Sequence, residues 1–405
     1  MTNKSAIKTL YIHPSDMEPL LSAEGDRKSS SLALALIRGS ERLRSSLHPI
    51  TRKLVAELVR SMNSYYSNLI EGHRTRPRDI DAALRRDFSA NPEHRSLQIQ
   101  HLAHIEVQAE MEARLPTMAA GDVCSAEFLC WLHEEFYRRL PDEFRNIADE
   151  KGKAHKVQPG GLRQGEVSVG RHMAPSSKQL RHFLNRFAEF YGPLVTTEPG
   201  SLLAAAAAHH RLTWIHPFLD GNGRVARLFS HAWFAKSGVD SDGLWTISRG
   251  LARRKLDYQV ALANADEKRM NDYDGRGYLS QRYLDEFCRY FLSTAVDQVE
   301  FMQELLVLDG MLNRIAGYAE RRESARELPR GSGLVLREIF LRGELARGDL
   351  SRIIAASPRT AQKVTGQLLS HRLVISSSKK GRLRLGFPSN AAAEYLPNLY
   401  PAGAD

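Results

Sequence analysis

The sequence predicts a mainly α-helical protein that carries a short β-hairpin and ends in a small unit of helices and strands. Apolar residues recur at helical spacing through most of the chain up to about residue 317. One glycine-rich segment interrupts the helices with valines that alternate with polar residues, a pattern typical of a hairpin. Two short runs of strand-forming residues flank a basic turn only after residue 370.

Length and composition indicate an ordinary globular protein. The 405 residues are enough for two or three domains, and 42% of them are hydrophobic and 26% charged. We find no run of about 18 apolar residues and no N-terminal leader pattern, so we expect a soluble cytoplasmic protein without a membrane partner. Cys124, Cys130 and Cys288 lack the paired spacing of zinc or redox sites, and we expect them to be buried thiols.

A long helix near the N-terminus is predicted to run from Arg52 to Glu71. Its apolar residues keep helical spacing as far as Ile70, and Gly72 supplies the left-handed position at which helices commonly stop. Glu71 then sits at the helix end where the macrodipole disfavours a negative charge by about 0.3 to 1 kcal/mol. We expect a cationic side chain to compensate.

The hairpin is predicted within Pro159–Gly170, whose sequence is PGGLRQGEVSVG. Beyond it, Ser201 is a candidate N-cap for a helix that runs through five alanines to Trp214. A second helix is predicted to begin at Val225 and to reach about residue 236.

The segment between those two helices, residues 216–227, reads His-Pro-Phe-Leu-Asp-Gly-Asn-Gly-Arg-Val-Ala-Arg. Backbone N–H groups from Asp220 to Gly223 precede a helix, and the glycines allow the tight bend and close approach that a phosphate needs. Arg224 and Arg227 lie three residues apart, so both can reach one polyphosphate from the first helical turn. The loop therefore predicts an anion-binding cradle.

A carboxylate and an imidazole in this loop predict its chemistry. Asp220 would repel a bound phosphate unless a cation lay between them, so we expect it to be a ligand of Mg²⁺. An imidazole with a pKa near its usual value of about 6.5 can take a proton from an attacking hydroxyl. His216 is therefore the candidate base.

The pattern HxFxDGNGRxxR resembles the motif of the Fic family at every defining position. The matching residues are His216, Phe218, Asp220, Gly221, Asn222, Gly223, Arg224 and Arg227. The likeness covers roughly residues 121–310 and includes the glycine-rich segment upstream. A glycine-rich loop that merely held a stray histidine would rarely match eight positions.

The resemblance implies a helical Fic core that transfers AMP from ATP to a Tyr, Ser or Thr hydroxyl of a target protein. It implies that His216 is the base, that Asp220 binds Mg²⁺, and that Arg224 and Arg227 clamp phosphates. The phosphate cradle would be completed by Gly221, Asn222 and Gly223. The hairpin would be a flap that binds the target by strand addition through Val167, Ser168 and Val169.

Some alternatives stay open within this family. Gly223 favours AMP transfer, because the related branch that phosphorylates its targets has a bulky residue at that position. A branch that moves phosphocholine keeps much the same loop, so transfer of another phosphate-containing group is not excluded by these residues. The chain itself is a candidate target.

The end of the long helix also resembles a family motif. Residues Ser67 to Gly72 match (S/T)xxxE(G/N), the inhibitory motif of one class of these enzymes. The resemblance implies that Glu71 pairs with Arg227, so that this arginine cannot clamp the γ-phosphate of ATP. An ordinary exposed glutamate near a helix end is the alternative.

The C-terminal block is strongly basic. From Gly331 to Pro388, eleven Arg and Lys residues stand against three Asp and Glu residues. Three predicted helices, the last capped by Ser357, and two strands in this block suggest a winged helix-turn-helix. Its candidate DNA-binding residues are Arg359 and Lys363 on the third helix and Lys379 and Lys380 in the turn.

Two roles fit this block, DNA contact or dimerisation with solvated charges. A DNA-binding regulator whose Fic core is secondary is therefore the second function hypothesis. The predicted division is an N-terminal helical region with the inhibitory helix (1–115), a Fic domain (116–317), a linker (318–333), the winged helix-turn-helix (334–388) and a tail (389–405).

Overall fold

The computed structural model describes residues 11–23, 26–148 and 154–401. The α-helices are, in order, α1 (Arg27–Ser45), α2 (Pro49–Ile70), α3 (Pro77–Leu84), α4 (Pro92–Arg114), α5 (Ala126–Arg138), α6 (Leu180–Tyr191), α7 (Pro199–Ile215), α8 (Asn222–Lys236), α9 (Ile247–Arg253), α10 (Lys255–Ala265), α11 (Gln281–Leu305), α12 (Leu308–Ser324), α13 (Ser332–Arg342), α14 (Leu350–Ile353), α15 (Pro358–Ser370) and α16 (Ser389–Tyr395). The strands are β1 (Asn146–Ala148), β2 (Ala154–Lys156), β3 (Ser168–Val169), β4 (His172–Met173), β5 (Glu344–Leu345), β6 (Val374–Ile375) and β7 (Leu383–Leu385).

The predicted mainly α fold is confirmed, with α7 at the centre of the larger part. Helices α1, α6, α8 and α11 all pack against α7. Five consecutive alanines, Ala204–Ala208, are buried on every side of it. Because alanine side chains are small, neighbouring helices approach α7 closely, and the position of its C-terminal end is fixed by packing.

Helix α2 confirms the predicted location of Glu71. The helix begins at Pro49, three residues before the predicted start, because proline suits the first helical position. Its C-cap residue is Glu71, and Gly72 follows with the left-handed φ of 94°. The compensating cation is described below.

The predicted cap of α7 is wrong. The helix starts at Pro199 after Glu198, and Ser201 already lies within the first turn. Its hydroxyl oxygen instead accepts hydrogen bonds from the backbone N–H of Thr196 at 3.2 Å and from the indole N–H of Trp233 at 3.0 Å. Helix α8 starts three residues earlier than predicted, at Asn222, because Gly221 adopts a left-handed φ of 80° and opens the helix.

The hairpin extends beyond the predicted segment. Strand β3 pairs antiparallel with β4, which lies after Gly170, so only the first strand falls within residues 159–170. A second two-stranded pair, β1 with β2, was not predicted. Strands of two or three residues carry too little alternation to be recognised in a sequence.

The C-terminal block contains the predicted elements and one more strand. Helices α13, α14 and α15 lie near the three predicted helices, and the predicted cap of α15 is confirmed, because the hydroxyl of Ser357 accepts the N–H of Thr360 at 3.3 Å. The sheet has the order β5-β7-β6, with β7 antiparallel to both neighbours. Strand β5 was not predicted, and the name winged helix-turn-helix remains a prediction.

Two predicted boundaries are wrong. Residues 318–324 do not form a linker, because α12 continues to Ser324 and buries Tyr318. Residues 389–401 are not simply a tail, because α16 folds back onto α12 and its Tyr395 is fully buried against Tyr318 and Phe387. The apolar and aromatic residues of this segment therefore belong to the folded core. The rest of the predicted tail, 402–405, lies outside the described residues.

No helix in the described ranges is both long and apolar enough to span a membrane. Of the three cysteines, Cys124 and Cys288 are buried as expected and Cys130 is partly exposed.

Candidate active site

His216 lies at the C-terminal end of α7 in a strained backbone conformation. Its φ of 50° and ψ of 60° are left-handed, which is uncommon for a residue with a side chain. Two hydrogen bonds hold it there: its N–H donates to the carbonyl of Leu212 at 3.2 Å, and its carbonyl accepts the Nε–H of Arg163 at 2.8 Å. The turn therefore presents the imidazole at a fixed place where the helix stops.

Arg163 joins the loop to the flap, a role that sequence reasoning missed. Its side chain is buried and donates to the carbonyls of Gly165 and Pro175 on the flap side. Its backbone N–H donates to the carbonyl of Pro217 at 2.9 Å. Because a buried guanidinium needs several acceptors, these contacts fix the distance between the hairpin and His216.

Burial lowers the pKa of His216 to about 4, and the nearby positive charge of Arg163 acts in the same direction. The imidazole is therefore neutral at neutral pH. A neutral imidazole has a free lone pair, which is the form required of a proton acceptor.

The loop after His216 is closed by an inward-facing aromatic ring and an amide. Phe218 is fully buried and stacks on His133 of α5, with ring centres 4.1 Å apart. The side chain of Asn222 accepts the N–H of Phe218 and donates to its carbonyl, both at 2.9 Å. Asn222 therefore shapes the loop through its side chain.

Two residues of α5, one helical turn apart, hold Asp220 through hydrogen bonds. His133 accepts the N–H of Gly160 through Nδ1 at 2.9 Å, which leaves its Nε2–H to donate to the carbonyl of Asp220 at 3.1 Å. The hydroxyl of Tyr137 donates to Asp220 Oδ2 at 2.5 Å. Sequence reasoning missed these supporting residues too, because nothing in the spacing of α5 marks them.

Asp220 is a charged carboxylate with one face open. Burial raises its pKa, but the positive charge of Arg224 and the hydrogen bond from Tyr137 outweigh that effect and leave the pKa lowered. Arg224 Nη2 donates to Asp220 Oδ2 at 3.1 Å. The Asp220 side chain keeps 42% of its surface exposed.

Arg227 provides the cation that the end of α2 requires. Its Nη2 lies 2.5 Å from Glu71 Oε1 and 3.0 Å from the carbonyl of Ser67, and its Nε donates to the hydroxyl of Ser67 at 2.9 Å. Burial raises the pKa of Glu71, but the charges of Arg227 and Arg224 outweigh it and lower the pKa overall. Glu71 is therefore ionised, and Arg227 is engaged by α2 at three points.

The Glu71 carboxylate lies over the first turn of α8. A methyl group added to Gly223 would collide with Glu71 Oε1 and would come within 2.9 Å of Arg227 Nη1. Glu71 thus occupies the place where backbone N–H groups and arginines would receive an anionic ligand. The cradle already contains a carboxylate.

A chain of buried hydrogen bonds lies behind Arg227. The hydroxyl of Ser230 donates to the carbonyl of Ala226 at 3.0 Å, so it accepts from His209 Nδ1 at 2.7 Å. His209 Nε2 then accepts from the hydroxyl of Tyr258 at 2.7 Å, in agreement with a pKa of His209 that burial lowers to about 3. Tyr258 lies beside Arg227 and is buried.

Two cavities lie on either side of the flap. One of about 1020 Å³ is lined by residues 163–168, His216 and Leu219. The other, of about 580 Å³, lies between residues 169–173 and the α10 residues Gln259, Leu262 and Ala263. His216 faces the first of them.

The structure thus brings together most of the predicted site residues and leaves one group apart. His216, Asp220, Gly221, Asn222, Gly223, Arg224, Arg227 and Glu71 form one cluster around the start of α8. Val167 is half-buried and Ser168 and Val169 are exposed on the flap. Arg359 and Lys363 lie on the exposed face of α15, and Lys379 and Lys380 lie in the turn between β6 and β7.

We predict that the ring of His216 stays neutral at pH 5.5, because its lowered pKa of about 4 keeps the proton off until the solution is more acidic. A free imidazole with a pKa of about 6.5 would be about nine-tenths charged at that pH. Nitrogen-15 chemical shifts of labelled histidine, with the His216→Gln variant for assignment, would measure it. An imidazolium signal for His216 at pH 5.5 would contradict the description of this site.

Comparison with known proteins finds a family model that matches part of this chain. Residues 123–234 match the sequence model described as Fic/DOC family. Protein adenylyltransferase Fic from Nematostella vectensis is 37% identical over 90 residues, which cover 22% of this chain and 20% of that protein. The protein of the same name from Drosophila willistoni is 32% identical over 87 residues, which cover 22% of this chain and 18% of that protein.

A solved structure extends the comparison to the fold. The crystal structure of a Fic family protein from Desulfovibrio desulfuricans matches with a TM-score of 0.50 at 18% identity, over 90% of this chain and 98% of that one. The chain spans only about a fifth of the length of the curated relatives named above. The sequence match spans α5 to most of α8 and therefore the whole loop, so residues 123–234 of this chain contain a Fic domain.

Proposed function

We propose that the chain is a protein adenylyltransferase that transfers AMP from ATP to a Tyr, Ser or Thr hydroxyl of a target protein. One observation carries the proposal: a neutral imidazole stands next to an anion cradle that already attracts a carboxylate. Relatives named protein adenylyltransferase share part of the Fic domain, which supports the same reaction here.

In the proposed reaction, His216 accepts the proton of the target hydroxyl while its oxygen attacks the α-phosphorus of ATP. A bond forms between that oxygen and the α-phosphorus, the bond to the bridging oxygen breaks, and pyrophosphate leaves. Arg224 and Arg227, together with backbone N–H groups at Gly221 to Gly223, would hold the phosphates. These groups supply orientation and charge stabilisation.

The two cavities suit the two substrates. The cavity beside His216 is open along the flap, where Val167, Ser168 and Val169 could pair with an extended target segment. The cavity of about 580 Å³ between the flap and α10 has the volume of a small-molecule site and could hold the nucleoside. The chain itself is one candidate target, through a second copy.

Asp220 fits the proposed Mg²⁺ site. Its carboxylate is ionised and partly exposed, and Mg²⁺ is commonly bound by one or two carboxylates together with substrate phosphates. Within the described residues no group of three or more His, Cys, Asp or Glu side chains could hold a metal, so phosphates and water would supply the other ligands. When bound, the ion would neutralise phosphate charge.

We also propose that Glu71 inhibits the enzyme. Its carboxylate and a γ-phosphate oxygen would compete for the same guanidinium of Arg227 and for the space above Gly223. Activation would then require α2 to withdraw. Transfer of another phosphate-containing group, such as phosphocholine, is the alternative for the same loop, and the mass added to a target distinguishes the two.

The second candidate function is DNA contact by the C-terminal block. Arg359, Lys363, Lys379 and Lys380 are exposed, and no ion pair joins them to a carboxylate in the described part of the chain. Lys363, however, lines a cavity of about 820 Å³ together with Glu320, Glu323 and Glu327. Arg326 and Arg330 line the same cavity, so its charge is mixed. The turn with Lys379 and Lys380 reads SSSKKGR and contains no acidic residue, so it is the stronger candidate. Dimerisation through this block is the alternative.

We expect His216→Ala to lower transfer at least about a hundredfold and to leave ATP binding within about threefold, because the base moves a proton and holds no phosphate. Incorporation of labelled AMP and calorimetric ATP binding would measure both. The exposed His94→Ala variant is the matched control. Undiminished transfer by His216→Ala would remove the assignment of the base.

We expect Glu71→Gly to raise modification of itself and of targets by at least about tenfold, because charge-assisted bonds of about 1.5 to 3 kcal/mol no longer compete with the γ-phosphate. Label incorporated per minute from ATP would measure the gain. Adding Arg227→Ala should reverse it, which separates release of the clamp from loosening of α2. If the wild-type protein transfers AMP and Glu71→Gly transfers it at the same rate, inhibition by Glu71 is ruled out.

If the C-terminal block contacts DNA, changing Lys379, Lys380 and Arg382 together to alanine should weaken binding to a DNA duplex and reduce its salt dependence by about two to three units of slope. Fluorescence anisotropy over a range of salt concentrations would measure it. Equally weak DNA binding by the wild-type protein and the triple variant would favour dimerisation instead.

A further inference from the structure

The C-terminal half of α2 is surrounded by protein. Residues 61–68 are all buried, although a helix at the surface normally exposes one side. Helices α4, α8 and α9 cover part of this half. Another side is covered by the segment that follows α16, residues 396–401.

Contacts between this segment and α2 are specific. The hydroxyl of Tyr66 donates to the carbonyl of Leu399 at 3.0 Å. The ring of Tyr65 meets the ring of Tyr400 edge to face, with centres 5.2 Å apart. Leu399 itself is buried. The segment therefore packs on two adjacent residues of α2.

The same segment is attached to a second helix of the larger part. Arg249 of α9 donates through Nη2 to the carbonyl of Asn398 at 2.9 Å. At the start of α16 the chain is also held from α3, because the N–H of Ser389 donates to Asp81 at 2.8 Å. The C-terminal chain thus contacts α3, α9 and α2 in turn.

Tyr66 is next to Ser67, the residue that binds Arg227 through both its hydroxyl and its carbonyl. One side of α2 therefore faces the C-terminal segment while the adjacent side holds Arg227 and, one turn later, Glu71. Because Ser67 and Glu71 lie within about one and a half helical turns of Tyr66, displacement of this end of α2 as a unit would break the contacts of Tyr65 and Tyr66 with the segment.

We propose that residues 396–401 form a latch that keeps the inhibitory helix in place, and that α2 and α9 together form a peptide-binding groove for which this segment is the occupant. The proposal rests on the inhibitory role of Glu71 for its effect on activity. The expected effect of the latch on the mobility of α2 does not depend on the inhibitory role of Glu71.

The test uses a variant of the chain that ends at Leu396 and a point variant, Tyr66→Phe, which loses only the hydroxyl. Hydrogen–deuterium exchange of residues 61–71 should rise at least about tenfold in the shortened chain and measurably in Tyr66→Phe, because local opening no longer breaks the latch contacts. Tyr191→Phe, which removes a buried tyrosine hydroxyl bonded to Leu20, is the matched control and should leave these residues unchanged.

A peptide with the sequence of residues 396–401, added to the shortened chain, should restore slow exchange, whereas a scrambled peptide should not.

AMP incorporation should rise in the shortened chain toward that of Glu71→Gly. Unchanged exchange of residues 61–71 in both the shortened chain and Tyr66→Phe would overturn the latch. It would also be overturned if Glu71→Gly were active while the shortened chain incorporated AMP only at the wild-type rate. If Glu71→Gly is inactive, the proposed function fails while the exchange data still decide the latch. Should the shortened chain not fold, Tyr66→Phe against Tyr191→Phe decides it.

Discussion

The contact between Glu71 and Arg227 above Gly223 is the interaction on which the rest of the site depends. The first turn of α8 concentrates positive potential from its free N–H groups and from two arginines. Such a place binds the nearest anion, and α2 supplies one from within the chain. The positive potential that suits a polyphosphate is the same potential that holds the Glu71 end of α2.

Buried contacts hold the rest of the site in place around Glu71 and Arg227. The alanine-rich α7 fixes the point at which His216 turns out of the helix, and α5 fixes Asp220 through His133 and Tyr137. Arg163 ties the flap to the same turn. The loop is therefore held from three sides, and Glu71 at the end of α2 supplies the anion that its cradle contains.

Much of this site was predicted because its residues are contiguous. Residues 216–227 carry the imidazole, carboxylate, glycines and arginines in one segment, and the motif that ends in Glu71 is equally local. Arg163, Tyr137 and His133 were missed because a buried side chain that serves a distant loop has no local signature. The boundary errors at Ser324 and Tyr395 share a cause, since a charged helix end and a short terminal helix look like a linker and a tail until their tertiary partners are known.

Gly223 has a consequence for how this sequence can change over evolutionary time. Any larger residue there meets the Glu71 carboxylate and the Arg227 guanidinium together, so such a substitution disturbs the Glu71–Arg227 contact and obstructs the cradle at once. Changes in α2 or in the segment that covers it leave residues 216–227 unaltered. Under the inhibition proposed above, heritable variation in basal activity would therefore accumulate in α2 and its covering segment, where selection can adjust the set point of the enzyme and spare its catalytic loop.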